Sequence, residues 1–288
     1  AGPTQVPLFV IPYSLFDTGV NRYNAGMIVA LAALLGLVFG SALTALISRQ
    51  AKGERWSAGR SHCPKCRHTL VLWDLIPVLS YLFLHGKCRY CRGMIGASYP
   101  LLEIATAALF VVAAVVRLGP AVWGWMDVFL TPDGAMLVRD WLVIVVLVQI
   151  FTYDLWFGYI LDQITVPAII VCVVWNLMLG MPLSTLLIGA VIGGGFFLVQ
   201  YLVSGGKWIG GGDIRLGVFM GVLLGWQLVI VALFLAYLSG GAIGAALLAS
   251  KRKSIGSQIP FGTFLSAATI VVLFWGEAML NWYFHGLL

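Results

Sequence analysis

Long apolar stretches alternate with short polar segments along nearly the whole chain. An apolar run of about twenty residues is long enough to cross the hydrocarbon core of a bilayer as a helix. The pattern predicts eight membrane-spanning helices, at residues 26–48, 98–117, 137–154, 160–180, 184–204, 213–225, 227–249 and 260–283. The sixth run is short and ends at LGW.

Composition supports this pattern. Hydrophobic residues make up 61% of the chain and charged residues 10%, whereas a soluble domain is about 45–50% apolar and about 25% charged. We therefore predict an all-α polytopic membrane protein. The opening AGPTQVPLFV lacks an initiator Met and is excluded from the fold prediction, and residues 1–25 are expected to form an external segment.

The basic residues are distributed unevenly between the two sides of the membrane that the predicted helices define. One side carries Arg49, Lys52, Arg55, Arg60, Lys65, Arg67, Lys87, Arg89, Arg92, Lys207, Arg215, Lys251, Arg252 and Lys253. The other side carries Arg22, Arg117 and Arg139. The positive-inside rule places the richer side in the cytosol and both termini outside it. Topology then explains the net charge of +6, and nucleic-acid binding is not expected.

The sizeable polar segment at residues 49–97, between the first two predicted helices, contains two C-x-x-C pairs. They are CPKC (Cys63, Cys66) and CRYC (Cys88, Cys91). Two such knuckles favour a tetrahedral, structural zinc site in a small cytosolic zinc-ribbon-like domain. Metal-free structural thiols and redox-active pairs are the alternatives, and a cytosolic location argues against stable disulfides. His62, His68 and His85 are expected at the surface rather than as ligands.

Four acidic residues fall within or at the ends of apolar runs: Glu103, Asp154, Asp162 and Asp213. Intramembrane acids are costly and usually face a cavity or a partner, so each is a functional hypothesis. Two adjacent carboxylates could share a proton and act on water as base and acid. Helix capping and an ion-coupled transport site remain alternatives, as does a non-catalytic zinc-ribbon adaptor. The three glycines of GGGD, before Asp213, predict a flexible backbone there.

Several of these motifs together resemble the type IV prepilin peptidases, polytopic aspartic proteases of the GxGD class. GGGDIRLG is similar to the signature aspartate motif of that family, and YDLWFGYILDQITVP is similar to its upstream aspartate segment. The segment RSHCPKCRHTLVLWDLIPVLSYLFLHGKCRYCRGMIGASYPLLEIATA resembles its cytosolic tetracysteine domain. GSALTALISR and IPFGTFL follow the order of the family's remaining motifs.

The resemblance implies a bifunctional enzyme with its protease core in residues 98–288. Asp154 and Asp213 would be the catalytic pair, with Asp162 as a second candidate and Gly210 and Gly212 supporting the catalytic loop. The enzyme would lie in the bacterial inner membrane, in contact with lipid, with its first loop and active site facing the cytosol. It would cleave the basic leader of a prepilin or pseudopilin.

The resemblance also implies that the enzyme methylates the new N-terminus with S-adenosylmethionine. Glu103 matches a glutamate tied to that step. Thr44 stands where the family commonly has Asn, which makes the methyltransferase prediction less secure than the protease prediction. Leu161 stands where the family usually has Pro.

Overall fold

The structure is a computed structural model that describes residues 22–54, 60–118, 129, 131–250 and 259–286. The described chain is helical, with no strand longer than an isolated bridge. The helices are α1 (Arg22–Ala51), α2 (Leu79–Phe83), α3 (Ser98–Leu118), α4 (Pro132–Phe157), α5 (Asp162–Met178), α6 (Leu183–Ser204), α7 (Gly211–Ala249) and α8 (Phe261–Gly286). A 3-10 turn at Leu72–Leu75 precedes α2. Residues 1–21 of the predicted external segment lie outside the described residues.

The predicted all-α polytopic fold is confirmed. Six of these helices are long and apolar enough to cross a membrane, and α5 is a shorter apolar helix of 17 residues. The predicted sixth and seventh spans fall within α7, which is 39 residues long. α4 begins at Pro132, ahead of the predicted start at 137, because Thr131 caps its N-terminus by accepting a hydrogen bond from Gly134.

Gly225 divides α7 into two segments. Its φ of 78° and ψ of 174° are non-helical. Gly217 and Val229 lie on either side of it, and both would touch a Cβ placed on Gly193 of α6, at 2.1 Å and 3.2 Å. A continuous helix would separate Gly217 from Val229 by about 18 Å. The chain therefore reverses at Gly225, and the predicted division into two spans is correct.

Glycines allow the spanning helices to approach each other closely. A Cβ on Gly189 would lie 2.3 Å from the carbonyl oxygen of Gly221, and a Cβ on Gly40 of α1 would lie 2.7 Å from Cα of Glu103 on α3. Small residues at such contacts let helix backbones pack without the side-chain bulk that would otherwise separate them. This packing fixes the first segment of α7 against α6 and fixes α1 against α3.

One hydrogen bond relates the tetracysteine segment to the predicted catalytic aspartates. Gln149 Nε2, in the last part of α4, donates to Gln50 Oε1 at the end of α1, at 3.0 Å. The ends of α1 and α4 therefore lie together. The tetracysteine segment follows α1 and Asp154 lies in the last turn of α4, so both occupy the same end of the bundle.

The opposite end contains a cluster that we call the polar hub, formed by Arg117, Arg139, Asp140 and Asn176. Asp140 is fully buried and accepts hydrogen bonds from Arg117 Nε at 2.5 Å and Arg139 Nη2 at 2.8 Å. Arg139 Nη1 donates to Asn176 Oδ1 at 2.9 Å, and Asn176 Nδ2 donates to the carbonyl of Val222 at 2.8 Å. The hub thus joins α3, α4 and α5 to the first segment of α7, near its reversal.

Candidate active site

Asp154 lies in the last turn of α4 and is 4% exposed. The helix ends at Gly158, whose left-handed conformation (φ 75°) lets its N–H donate to the carbonyl of Asp154 at 2.8 Å. This cap turns the chain away directly after the acid. The apolar helix α4 therefore ends one turn after Asp154, and the carboxylate lies at the end of the helix.

The Asp154 carboxylate is held by the start of α8. Its Oδ2 accepts the backbone N–H of Thr263 at 2.8 Å and lies 3.1 Å from the Thr263 hydroxyl. That hydroxyl also lies 2.6 Å from the carbonyl of Pro260, and its single hydrogen can be donated to one of the two at a time. A Cβ at Gly262 would lie 3.0 Å from Asp154 Oδ2, so a side chain there would press on the carboxylate.

Asp213 lies in the first turn of α7, with its Oδ2 accepting the backbone N–H of Gly210 at 3.1 Å. In this structure α7 begins at Gly211 and Gly210 is extended, conformations that do not require glycine. Gly212 instead serves close packing, since a Cβ there would lie 2.9 Å from Cβ of Ile160. The glycine before the aspartate makes room for the loop that follows Asp154.

The structure brings Asp154 and Asp213 together. A Cβ on Gly262 would lie 3.0 Å from Asp154 Oδ2, and Asp213 directly follows Gly212. Ile160, between α4 and α5, touches the positions where Gly212 and Gly262 would carry a Cβ, and so packs against the starts of both α7 and α8. Three helix ends therefore converge around the two acids.

Asp162 is placed differently from the other two aspartates. It is the first residue of α5, its side chain is 54% exposed, and it forms an ion pair with Arg215. The half-exposed Arg215 lies two residues after Asp213, so this pair ties the start of α5 to the start of α7. Asp162 is thus near the site but already engaged by a cation, whereas the donors to Asp154 are neutral.

The four cysteines of the two knuckles form a cluster. Their sulfur atoms all lie within 4.8 Å of one another, and Cys63 and Cys91 are 4.0 Å apart at their sulfurs. A zinc ion with four thiolates about 2.3 Å away would separate the sulfurs by a little under 4 Å. All four are free thiols. The donor set therefore fits zinc, in both its chemistry and its spacing.

The two knuckles have the same backbone geometry. The N–H of Arg67 donates to the carbonyl of Cys63 at 2.9 Å, and that of Arg92 to Cys88 at 3.0 Å. Both arginines have a φ of 57°, which gives each knuckle its tight turn. The surface position predicted for the three histidines is confirmed: His62, His68 and His85 are exposed.

A cavity of about 590 Å³ lies between the tetracysteine segment, α1 and the start of α3. Its lining includes Thr44 and Arg49 of α1, Asp74 and Tyr81 of the tetracysteine segment, and Glu103 of α3. Thr44 is buried and its hydroxyl donates to the carbonyl of Ser41 at 2.7 Å. Helices α1 and α3 thus supply part of a chamber whose other walls come from the tetracysteine segment.

Glu103 is 7% exposed, and its Oε2 accepts the backbone N–H of Val78 at 2.7 Å. Val78 has φ 59° and ψ −48°, and the N–H of Leu79 donates to the carbonyl of Pro77. This three-residue γ-turn is rare and strained for a β-branched residue. Strain of this kind persists only where surrounding contacts fix it, and the Glu103 carboxylate provides one such contact.

Two features of the site were not predicted from the sequence. IPFGTFL was recognised as a motif, but Thr263 within it was not assigned to Asp154; a threonine at the first turn of an apolar helix was the available signal. Ile160 gave no signal, because an apolar residue between two aspartates looks like any other core residue. Its role follows only from the structure, in which Ile160 packs against Gly212 and Gly262.

A bundle of apolar helices that brings the buried Asp154, the partly buried Asp213 and a four-cysteine cluster to one end defines a polytopic membrane protein with a paired-acid site. The chain belongs to the type IV leader peptidase family. The model of that family matches residues 141–245, and the model of the bacterial peptidase A24 N-terminal domain matches residues 34–117. The family predicted from the motifs is confirmed, and the ion-coupled transporter alternative is wrong.

Curated relatives match most of the chain. A prepilin leader peptidase/N-methyltransferase of Aeromonas salmonicida (strain A449) is 35% identical over 237 residues, which cover 80% of this chain and 76% of that protein. One of Burkholderia pseudomallei (strain 1026b) is 32% identical, covering 87% and 86%. One of Pseudomonas aeruginosa is 31% identical, covering 87% and 91%. No solved structure matches the chain.

Proposed function

We propose that this protein cleaves the leader peptide from prepilins or pseudopilins and then N-methylates the new N-terminal residue. The observation that carries the proposal is the convergence of Asp154 and Asp213 around Ile160, from two helices distant in sequence, at one end of a membrane bundle. The relatives named as prepilin leader peptidase/N-methyltransferases support it.

In the cleavage step, Asp154 and Asp213 act as one acid–base pair. The ionised carboxylate takes a proton from water as the water oxygen adds to the scissile carbonyl carbon, and the protonated carboxyl gives its proton to the carbonyl oxygen. The C–N bond then breaks as one carboxyl gives its proton to the amide nitrogen and the other carboxylate takes the proton of a hydroxyl on the tetrahedral carbon, which restores the pair. The Thr263 N–H keeps the Asp154 carboxylate oriented through both transfers.

The active site faces the cytosol in this proposal, and the membrane is the bacterial inner membrane. The support is the charge of the tetracysteine segment at the same end. Among residues 60–97 the basic side chains are Arg60, Lys65, Arg67, Lys87, Arg89 and Arg92, and the acidic one is Asp74. An excess of arginine and lysine next to spanning helices is typical of the cytosolic side.

Methyl transfer is assigned to the cavity lined by Glu103. S-adenosylmethionine, when bound there, would supply the methyl group from its sulfonium. Glu103 would hold the new α-ammonium and accept a proton from it, which leaves the amine free to be methylated. A carboxylate at a wall of a cavity of about 590 Å³ is suited to hold such a cation.

Zinc is assigned a structural role. Cys63, Cys66, Cys88 and Cys91 would hold it with four thiolates, leaving no open position for substrate. A segment of about forty residues buries too little apolar surface to fold alone, and a metal would compensate. Metal analysis of the purified protein should find one zinc per chain, and Cys88→Ser should lower that content; a metal-free, folded and active protein would contradict the assignment.

The function is tested by incubating the purified protein in detergent with a prepilin. Mass spectrometry of the product should find the leader removed and, with S-adenosylmethionine present, a mass increase of one methyl group at the new N-terminus. Omitting S-adenosylmethionine is the matched control and should leave a cleaved, unmethylated product. An intact prepilin after incubation with folded protein would refute the peptidase proposal.

A further inference from the structure

The tetracysteine segment exposes large apolar side chains that neither proposed reaction uses. Leu72 and Trp73, on the 3-10 turn, are 81% and 73% exposed. Leu82 and Phe83, on α2, are 61% and 79% exposed. The two short helices contact each other and are joined by residues 76–78. We call these four side chains the apolar rim.

The depth of the apolar rim follows from the bond between Val78 and Glu103. Glu103 is the sixth residue of α3, about 7–8 Å along the helix axis from Ser98. α3 has 21 residues and is therefore about 31 Å long, close to the thickness of the hydrocarbon core. Because Val78 directly precedes α2, the start of α2 lies beside the first turns of a spanning helix, at the level of the lipid head groups.

The side chains of the apolar rim, and the charges beside it, are of the types found at the level of the lipid head groups. Tryptophan is enriched at membrane interfaces, and short amphipathic helices lie in the interface with leucine and phenylalanine directed into the acyl chains. Arg89 is half exposed and pairs with Asp74, the residue next to Trp73, so a cation borders the rim. Exposed Lys65, Arg67, Lys87 and Arg92 add further positive charge to the same segment.

We propose that the tetracysteine domain is a monotopic membrane element, in which the 3-10 turn and α2 insert the apolar rim into the bilayer leaflet around α1 and α3. Basic side chains of the domain meet the anionic head groups, which attract them at close range. Insertion holds the cavity lined by Glu103 at the membrane surface and does not depend on either proposed reaction.

The test is lipid photolabelling of the full chain in vesicles of phosphatidylethanolamine and phosphatidylglycerol. The probe is phosphatidylglycerol with a diazirine in its acyl chain, and labelled residues are located by peptide mass spectrometry. Residues 72–83 should be labelled at least about tenfold more than the two knuckles at residues 62–68 and 87–93. The knuckles serve as an internal control within the same domain.

Variants of the apolar rim distinguish insertion of its side chains into the bilayer from a position merely close to the bilayer. Trp73→Ser with Phe83→Ser should lower labelling of residues 72–83 at least about fivefold relative to α1 and α3, whereas Trp73→Phe with Phe83→Leu should preserve it. Labelling of α1 and α3, together with the helical circular dichroism signal, reports whether each variant is folded. Labelling of residues 72–83 no greater than that of the knuckles would overturn the proposal, as would cross-linking of the rim to a second copy or to a prepilin in place of lipid.

Discussion

Helix α4 carries two buried aspartates in opposite settings. Asp140, near its start, is fully buried and held by the guanidinium groups of Arg117 and Arg139. Asp154, about 21 Å further along the helix, is 4% exposed and held by neutral donors from Thr263. Among the described residues, the same side chain on the same helix is thus an ion-pair partner at one end and a carboxylate held by neutral donors at the other.

The difference indicates how each aspartate is used. A buried charge with complete ionic partners is fixed, and its protonation is not available for chemistry. A carboxylate held by neutral hydrogen bonds beside a second carboxylate can exchange a proton with it. We infer that the polar hub fixes the relative positions of the helices at one end so that the two acids can meet at the other.

The largest expected effect is on cleavage, from the acid pair. Asp213→Asn should reduce the rate of prepilin cleavage about 10³-fold or more, because an amide can neither take nor give the proton. Asp154→Asn should do the same, and the double variant should be no worse than either single one, since the two residues act as one unit. The measurement is single-turnover cleavage in detergent.

Glu277→Gln is the matched control for these variants. Glu277 is an exposed acid on α8, and its replacement should leave cleavage within about twofold of the original rate. Full cleavage by the Asp213 variant would remove that residue from the mechanism. Additive losses in the double variant would show that the two carboxyls work separately.

Substitutions in the polar hub should change the stability of the protein and not the rate of cleavage. Asp140→Asn leaves the buried Arg139 guanidinium and the partly buried Arg117 guanidinium without their anion, and should lower the free energy of unfolding by about 3 kcal/mol. The rate of cleavage per folded molecule should change less than about twofold. Asp133→Asn, at an exposed position on the same helix, is the control and should shift the unfolding midpoint little. Loss of catalysis in folded Asp140→Asn protein would place the hub in the reaction.

The contrast between these two ends was only partly predictable from sequence. Periodicity located the spans, and the GGGD and YD motifs located Asp154 and Asp213, because acids within apolar runs stand out. Asp140 does not stand out, since it follows Arg139 at a predicted helix end and looks like an interfacial pair. Its partners Arg117 and Asn176 come from other helices, and only packing brings them to it.

A smaller effect is expected at the contact that orients Asp154. Thr263→Val removes the hydroxyl but keeps the backbone N–H, so cleavage should fall about tenfold, equivalent to about 1.4 kcal/mol in the barrier. Thr263→Ser restores the hydroxyl and should recover most of the rate. Single-turnover rates and the Michaelis constant should be measured together. A change confined to the Michaelis constant would contradict an effect on the carboxylate.

Asp74 is a third aspartate held by an arginine, in the tetracysteine segment; its side chain is 4% exposed, whereas that of Arg89 is half exposed. Burial alone would raise its pKa, but hydrogen bonds from Arg89, Val71 and Tyr90 outweigh burial and hold the pKa below its ordinary value of 3.8. The carboxylate therefore stabilises the segment above that pH, and the stabilisation is lost as the pH falls through the lowered pKa.

Asp74→Asn should make local opening of residues 71–90 easier by about 1 kcal/mol at pH 7, because Arg89 is half exposed and water screens the pair. Hydrogen exchange measured by mass spectrometry reports this opening. The difference from the unmodified protein should shrink toward zero well below pH 3.8. Glu54→Gln, at an exposed acid of the same segment, is the control. A difference that is constant with pH would exclude the carboxylate charge as its cause.

The smallest effect is expected at Asp162, the alternative to Asp154 in the upstream motif. Its ion pair with Arg215 is about half exposed on both sides, and such pairs contribute about 0–1 kcal/mol. Asp162→Asn and Arg215→Gln should each slow cleavage at most about threefold, with the difference disappearing at high salt. If Asp162→Asn abolished cleavage while Asp154→Asn did not, the proton-transfer role would belong to the exposed, cation-paired acid. Burial with neutral donors would then no longer distinguish the reactive carboxylate from the others.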